Sequence, residues 1–229
     1  MESSDLISAK EFAHHTSVWR QCAPMLDRVA RWLNTQQVSL GRAVVNTSAP
    51  QRNALLAETA FLTAASVYDS TGLTGRHAAQ AARTALQFLP RGEFARADLD
   101  YEELSEVEKL SDKILRFAEG LPSASFSPQI PGCGVVARCT GDMASPSQLI
   151  EIKTVTRPFR GTDLRQLLTY TAMLYAKGEA IDNVTLLNPR RARYVTVSVE
   201  MLAQGSSGKA KAEIMQDLID AMVTLQVSA

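Results

Sequence analysis

The chain has 229 residues, 45% of them apolar, and its 24 basic residues are balanced by 24 acidic ones. That length supports one large domain or a domain with an extension, and zero net charge leaves any attraction to nucleic acid to local clusters. No run approaches the ~20 apolar residues of a membrane helix, the polar start MESSDLISAKEF is unlike a signal peptide, and Cys22, Cys133 and Cys139 form no CxxC pair that could hold zinc. The expectation is a cytoplasmic protein with idle thiols and no membrane partner.

The first ~120 residues read as helical. VWRQCAPMLDRVARWLN sets Trp19, Met25, Val29 and Leu33 at helical spacing and predicts one helix with Trp19 and Trp32 in the core. QRNALLAETAFLTAASVYD is a second helix, ended by STGLTG; GRHAAQAARTALQFL is a third, stopping at Pro90. LDYEELSEVEKLSDKILRFAEG is a fourth, with Leu104, Val107, Ile114 and Phe117 on one stripe and Gly120 as its stop. His14, His15 and His77 fall in this half at no metal-binding spacing and read as surface or structural residues.

The character then changes. LPSASFSPQIPG, rich in proline and serine, reads as a loop or linker. CGVVARCTGDM is β-rich, QLIEIKTV alternates, and NVTLLN and YVTVSV form a hairpin through PRRAR. Between them GTDLRQLLTYTAMLYAKGE is a helix that starts near Thr162 or Asp163 and ends near Gly178. QGSSGKAK reads as a mobile loop before a last amphipathic helix, KAKAEIMQDLIDAMVTL. The predicted architecture is α/β: a small mixed four-stranded sheet flanked by helices. Its helical N-terminal region, 1–120, packs on a core spanning 121–229.

In an extended QLIEIKTV, side chains alternate faces. Glu151 and Lys153 therefore share one face and Ile150 and Ile152 the other. A turn through ASPSQ would bring Asp142 to Glu151. Two carboxylates at close range repel unless a cation lies between them, and an oxygen set of this kind suits Mg²⁺. Gln166 and Tyr170, four apart, share a face of the following helix. Glu58 shares an apolar helix face with Leu55, Phe61 and Leu62, so its charge needs either a partner or a place on the wet margin of that face.

Asp142, Glu151-Ile152-Lys153 and Gln166-Leu167-Leu168-Thr169-Tyr170 together resemble the PD-(D/E)xK nuclease superfamily, and among its members the RecB-like branch with its QxxxY motif. The resemblance covers about Pro131 to Val199, and Gly141 stands where the name-giving proline would be. It implies a restriction-endonuclease-like core and a metal-dependent nuclease that hydrolyses DNA phosphodiesters with Mg²⁺ or Mn²⁺. RNA is left open as a substrate, and restriction, repair or anti-phage defence are the implied settings. Asp142, Glu151, Lys153, Gln166 and Tyr170 become the catalytic candidates, and Asp142, Glu151, Ile152 and Glu58 the metal candidates. Cys139 is the last cysteine, so the iron–sulfur cluster of some members of this branch is not expected.

From Lys153 to Tyr194 eight basic residues face three acidic ones. That local excess nominates Arg157, Arg160, Arg165, Arg190 and Arg191 as phosphate contacts. Phe159 could stack on a base, with a core or hinge role as its other reading. No recognition element for sequence-specific cutting is visible, which points to a protein partner that supplies targeting, and a homodimer would allow both strands to be cut. The alternative is a catalytically silent nucleic-acid-binding or scaffold subunit with the same fold.

Overall fold

The computed structural model describes residues 6–86 and 98–225. The predicted end of the third helix, at Pro90, lies outside them. Within these residues the protein is an α/β fold built on a mixed six-stranded sheet, in the order β1 (Val38–Ser39), β8 (Arg193–Ser198), β7 (Asn183–Asn188), β6 (Gln148–Ile152), β5 (Met143–Ser145), β2 (Ser125–Phe126). Only β6 and β7 run parallel. β3 (Gln129–Ile130) and β4 (Cys139–Thr140) form a separate small ladder. Two of the six strands were not expected from the sequence. β1 and β2 are each two residues long, too short for alternation to show, and β1 brings the N-terminal half into the sheet.

β6 and β7 are buried on both faces, as suits the parallel pair at the middle of the sheet, whereas β8 alternates, with Val195 and Val197 inward and Arg193 and Thr196 exposed. On one face Leu149, Val184, Leu186, Val195 and Val197 pack under α1 (Ala9–His14), α2 (Thr16–Cys22), α3 (Leu26–Leu33), α7 (Gly161–Tyr175), α8 (Val199–Ser207) and α9 (Lys211–Thr224). On the other, Met143, Ile150 and Leu187 meet α4 (Asn53–Tyr68) and α6 (Tyr101–Glu119), with α5 (Gly75–Leu86) packed on α4. Each fully buried aliphatic side chain contributes about 1.5–3 kcal/mol. Residues from both the 1–120 and the 121–229 stretches enter the same clusters.

Three local expectations are corrected. The first helix breaks in two at Pro24, which cannot donate a backbone hydrogen bond; α3 restarts with Leu26, Val29, Ala30 and Leu33 inward. That restart turns Met25 and Trp32 outward, and Trp32 is 46% exposed while Trp19 is buried. Gln204 to Ser207 do not form a loop but the last turn of α8. The Ser198 hydroxyl caps its start by accepting from Met201 N, and Gly208, at φ 74°, ends it. LPSASFSPQIPG holds β2 and β3 and so is part of the framework.

The segment that positions the candidate site departs from the expected strand and turn: of CGVVARCTGDM only Cys139–Thr140, in the β3–β4 ladder, and Met143, at the start of β5, are in strands, while Ala144, Ser145 and Gln148 of ASPSQ lie in β5 and β6. Pro146 and Ser147 alone separate β5 from β6, and Ser147 takes a positive φ of 58° to close the turn. The register Met143↔Ile150, Ala144↔Leu149, Ser145↔Gln148 sets Asp142 opposite Glu151 when continued by one step. α7 begins where the Asp163 carboxylate accepts from Arg160 N, and the helix runs back over β6.

Candidate active site

The site lies at the end of β6, between the two helix layers. Asp142 Oδ2 accepts a 2.6 Å hydrogen bond from Ile152 N, which ties the end of β5 to β6 and fixes the acid beside Glu151. Glu151, only 4% exposed, faces α7. Lys153 Nζ donates to Glu151 Oε1 at 2.6 Å and to Gln166 Oε1 at 2.8 Å, and Gln166 Nε2 donates to Tyr170 OH at 2.7 Å. One chain of hydrogen bonds thus joins Glu151, Lys153, Gln166 and Tyr170. Its geometry follows from alternation on β6 and the four-residue repeat on α7. Both faces of β6 are covered, so the half-exposed strand that alternation alone would allow is replaced by a strand with its charges held inside.

The electrostatics are unbalanced. Burial pushes Asp142 up to about 6, reinforced by Glu58 and opposed by Ile152 N–H and Lys153. Burial pushes Glu151 up to about 8, reinforced by Asp142 and opposed by Lys153. The two carboxyls hold a proton between them into the neutral range, because Lys153 does not offset both. Burial and the Glu151 charge also raise the Tyr170 phenol, which stays protonated while its oxygen accepts from Gln166 Nε2. Cys139 lies near enough for Glu151 to reinforce the rise of its thiol, to about 11, that burial causes.

Glu58 reaches the site from α4. It is half-buried, burial raises its carboxyl, and it lines a cleft of about 650 Å³ together with Asp142, Ile152 and Val155. Asn53 lines the same cleft, and its Oδ1 is buried without a hydrogen-bond partner among the described residues. These oxygens, in excess over the cations facing them, fit a hard divalent ion. Among the described residues no three His, Cys, Asp or Glu side chains form a cage by themselves. Mg²⁺ needs only one or two carboxylates and keeps several waters, so Asp142 and Glu151 with the Ile152 carbonyl suffice as a donor set.

The arginines divide. Arg160 is exposed and Arg191 is half-buried. Arg157 is held by two hydrogen bonds to Asp163, at 2.7 and 2.8 Å. Arg165 faces Asp27 at 3.4 Å. Arg190, expected on a phosphate path, is a correction: it is 3% exposed and ion-paired with Glu106 of α6, so it belongs to the core. Phe159 is buried, with Asn34 bonding both its N–H and its C=O, and so takes the core role. Lys10 of α1, on the wall of the cleft, had no sequence signal, because only the packing of α1 over α7 brings it near Asp142.

Among the described residues no helix is long and apolar enough to cross a membrane. No protein-family model matches the chain, and neither the curated proteins nor the solved structures searched contain a match to it.

Proposed function

We propose that the protein is a metal-dependent nuclease with a restriction-endonuclease-like core of the PD-(D/E)xK type, hydrolysing DNA phosphodiesters with Mg²⁺ or Mn²⁺. The observation that carries this reading is the joining of Asp142, Glu151, Lys153, Gln166 and Tyr170 at one strand end, with more carboxylate than cation. A structural ion-pair cluster has no use for that excess, whereas a divalent ion does.

Asp142, Glu151 and the Ile152 carbonyl would hold the ion, with Glu58 facing it across the cleft. When bound, it would polarise the scissile phosphate and lower the pKa of water. Glu151 would bind the ion as a carboxylate, its proton passing to solvent, and Lys153 Nζ, held by Gln166 Oε1, would donate to the phosphate or orient the attacking water, whose proton would pass to solvent. Gln166 Oε1 fixes where that ammonium points, and the Tyr170 hydroxyl fixes Gln166. The leaving oxygen draws its proton from solvent at the open side of the cleft. Arg160 and Arg191 are the contacts left for flanking phosphates. A targeting subunit, or a second copy of this chain, would supply the site selection for which no element is seen.

The test is cleavage of labelled DNA with Mg²⁺ or Mn²⁺, against EDTA and against Glu151→Ala and Lys153→Ala. Cutting that needs metal and is lost in both variants is expected. Absence of cutting and of binding with any DNA or RNA would refute the reading.

A further inference from the structure

We propose that Asn34, at the end of α3, is a positioning residue for the candidate active site: it pins the connection between β6 and α7, and through it sets where Gln166 holds Lys153. This rests on the nuclease reading and adds to it a residue from the helical N-terminal half.

The hydrogen-bond chain of the site spans two elements. Glu151 and Lys153 sit at the end of β6, and Gln166 and Tyr170 on α7. The ladders to β5 and β7 fix β6. Leu164, Leu167 and Leu168 seat α7 in the core. Apolar burial has no direction of its own, so the fine placement of the helix start needs directed bonds. Residues 153–160, which join the two elements, form neither helix nor strand. Two asparagines from elsewhere pin them. Asn188, at the end of β7, donates to Val155 C=O at 2.8 Å. Asn34 donates from Nδ2 to Phe159 C=O at 2.9 Å and accepts from Phe159 N–H on Oδ1 at 3.0 Å. Its amide also donates to Ala30 C=O at 2.8 Å and accepts from Gln37 Nε2 at 2.7 Å. Both donors and both lone pairs of the amide are thus used, so α3 fixes its direction. α7 begins two residues beyond Phe159, and Gln166 stands in its second turn.

A second contact shows how closely α3 meets the start of α7. Asp27 precedes Asn34 by two helical turns and so lies on the same side of α3. Its carboxylate covers Gly161: a Cβ there would stand 2.2 Å from Asp27 Oδ1. Alanine is the better helix former, so the glycine serves this close approach. Asp27 Oδ2 also faces Arg165, the neighbour of Gln166, at 3.4 Å. α3 therefore holds both the last residues of the connection and the first turn of the helix that carries Gln166.

The experiment measures DNA cleavage with Mn²⁺ by the full chain, by Asn34→Ala, by Gln166→Ala and by the double variant, well below the melting temperature of each. Amide hydrogen exchange of the metal-free proteins is followed alongside. Asn34→Ala should lower kcat about ten- to hundredfold, with KM within about twofold. In the Gln166→Ala background the same substitution should cost about twofold or less, because both act on Lys153. Exchange at Phe159 and in the first turn of α7 should quicken about tenfold or more in Asn34→Ala, with β7 unchanged. A lower melting temperature with kcat held, full additivity of the two substitutions, or unchanged exchange at Phe159 overturns the proposal. An unmodified chain that cuts no DNA with metal overturns the nuclease reading, and the exchange then decides separately whether Asn34 holds the connection.

Discussion

Two buried charge clusters flank the same sheet, one centred on α6 and the other at the end of β6 between the two helix layers. In the first, α6 offers Glu103 to Arg52 and Glu106 to Arg190. Glu106 also accepts from Thr47 N and Oγ1, at 2.8 and 2.7 Å. Burial opposes its charge, yet Thr47 and Arg190 outweigh burial and hold the carboxyl below its ordinary range. In the second, Asp142 and Glu151 share Lys153, with Glu58 adding a third carboxylate, and burial drives both Asp142 and Glu151 upward. Both clusters set carboxylates against cations inside the protein, glutamates with arginines in the first and Asp142, Glu151 and Glu58 with Lys153 in the second. One closes its charge balance and staples the 40–52 segment and α6 to the end of β7. The other leaves its balance open, and an open balance in a cleft is a place for a cation.

The contrast can be broken from either side. The largest expected effect is on catalysis: Lys153→Ala should lower DNA cleavage by about 10²–10⁴-fold, with the urea midpoint little changed. Next is Glu106→Ala, which leaves the Arg190 guanidinium buried and unpaired and should cost about 3–5 kcal/mol in urea unfolding. An equal stability loss in the two variants would erase the distinction between the clusters.

A smaller effect lies in pH. Asp142 and Glu151 are raised in the folded state above their unfolded values, so the native protein binds more protons than the unfolded chain between ordinary carboxylate pH and about 8. Stability therefore falls as pH rises through that window. Glu151→Gln should flatten this fall by on the order of 1 kcal/mol or more, as urea unfolding at several pH values would read. Metal-free protein whose stability rises over the same window would contradict the assignment. The smallest effect is that of Tyr170→Phe, which frees Gln166 and should reduce kcat several-fold while leaving KM in place; the Gln166 to Lys153 bond remains to limit the loss.

What could be read in advance was local. Glu151 beside Lys153 and Gln166 one turn from Tyr170 follow from strand and helix periods over short spans, and the approach of Asp142 from a turn expected through ASPSQ, which the structure tightens to Pro146 and Ser147. What escaped was set by distant packing. The burial of Arg190 needs Glu106, 84 residues away in the chain, and no alternation in PRRAR reveals it. Trp32 was misplaced because Pro24 resets the helical phase, and β1 and β2 were too short to carry a pattern. Glu58 lay between two readings in the sequence; the folding of α4 against the end of β5 brings it to Asp142.

The most direct test of the open charge balance is a calorimetric titration of Mn²⁺ into the metal-free protein near pH ~7.5, in buffers of different ionisation enthalpy. Carboxyls that hold a proton must release it when they bind the ion. The expected result is one saturable site that releases about one proton and is lost in Asp142→Asn. No binding, or equal binding by Asp142→Asn, would contradict it.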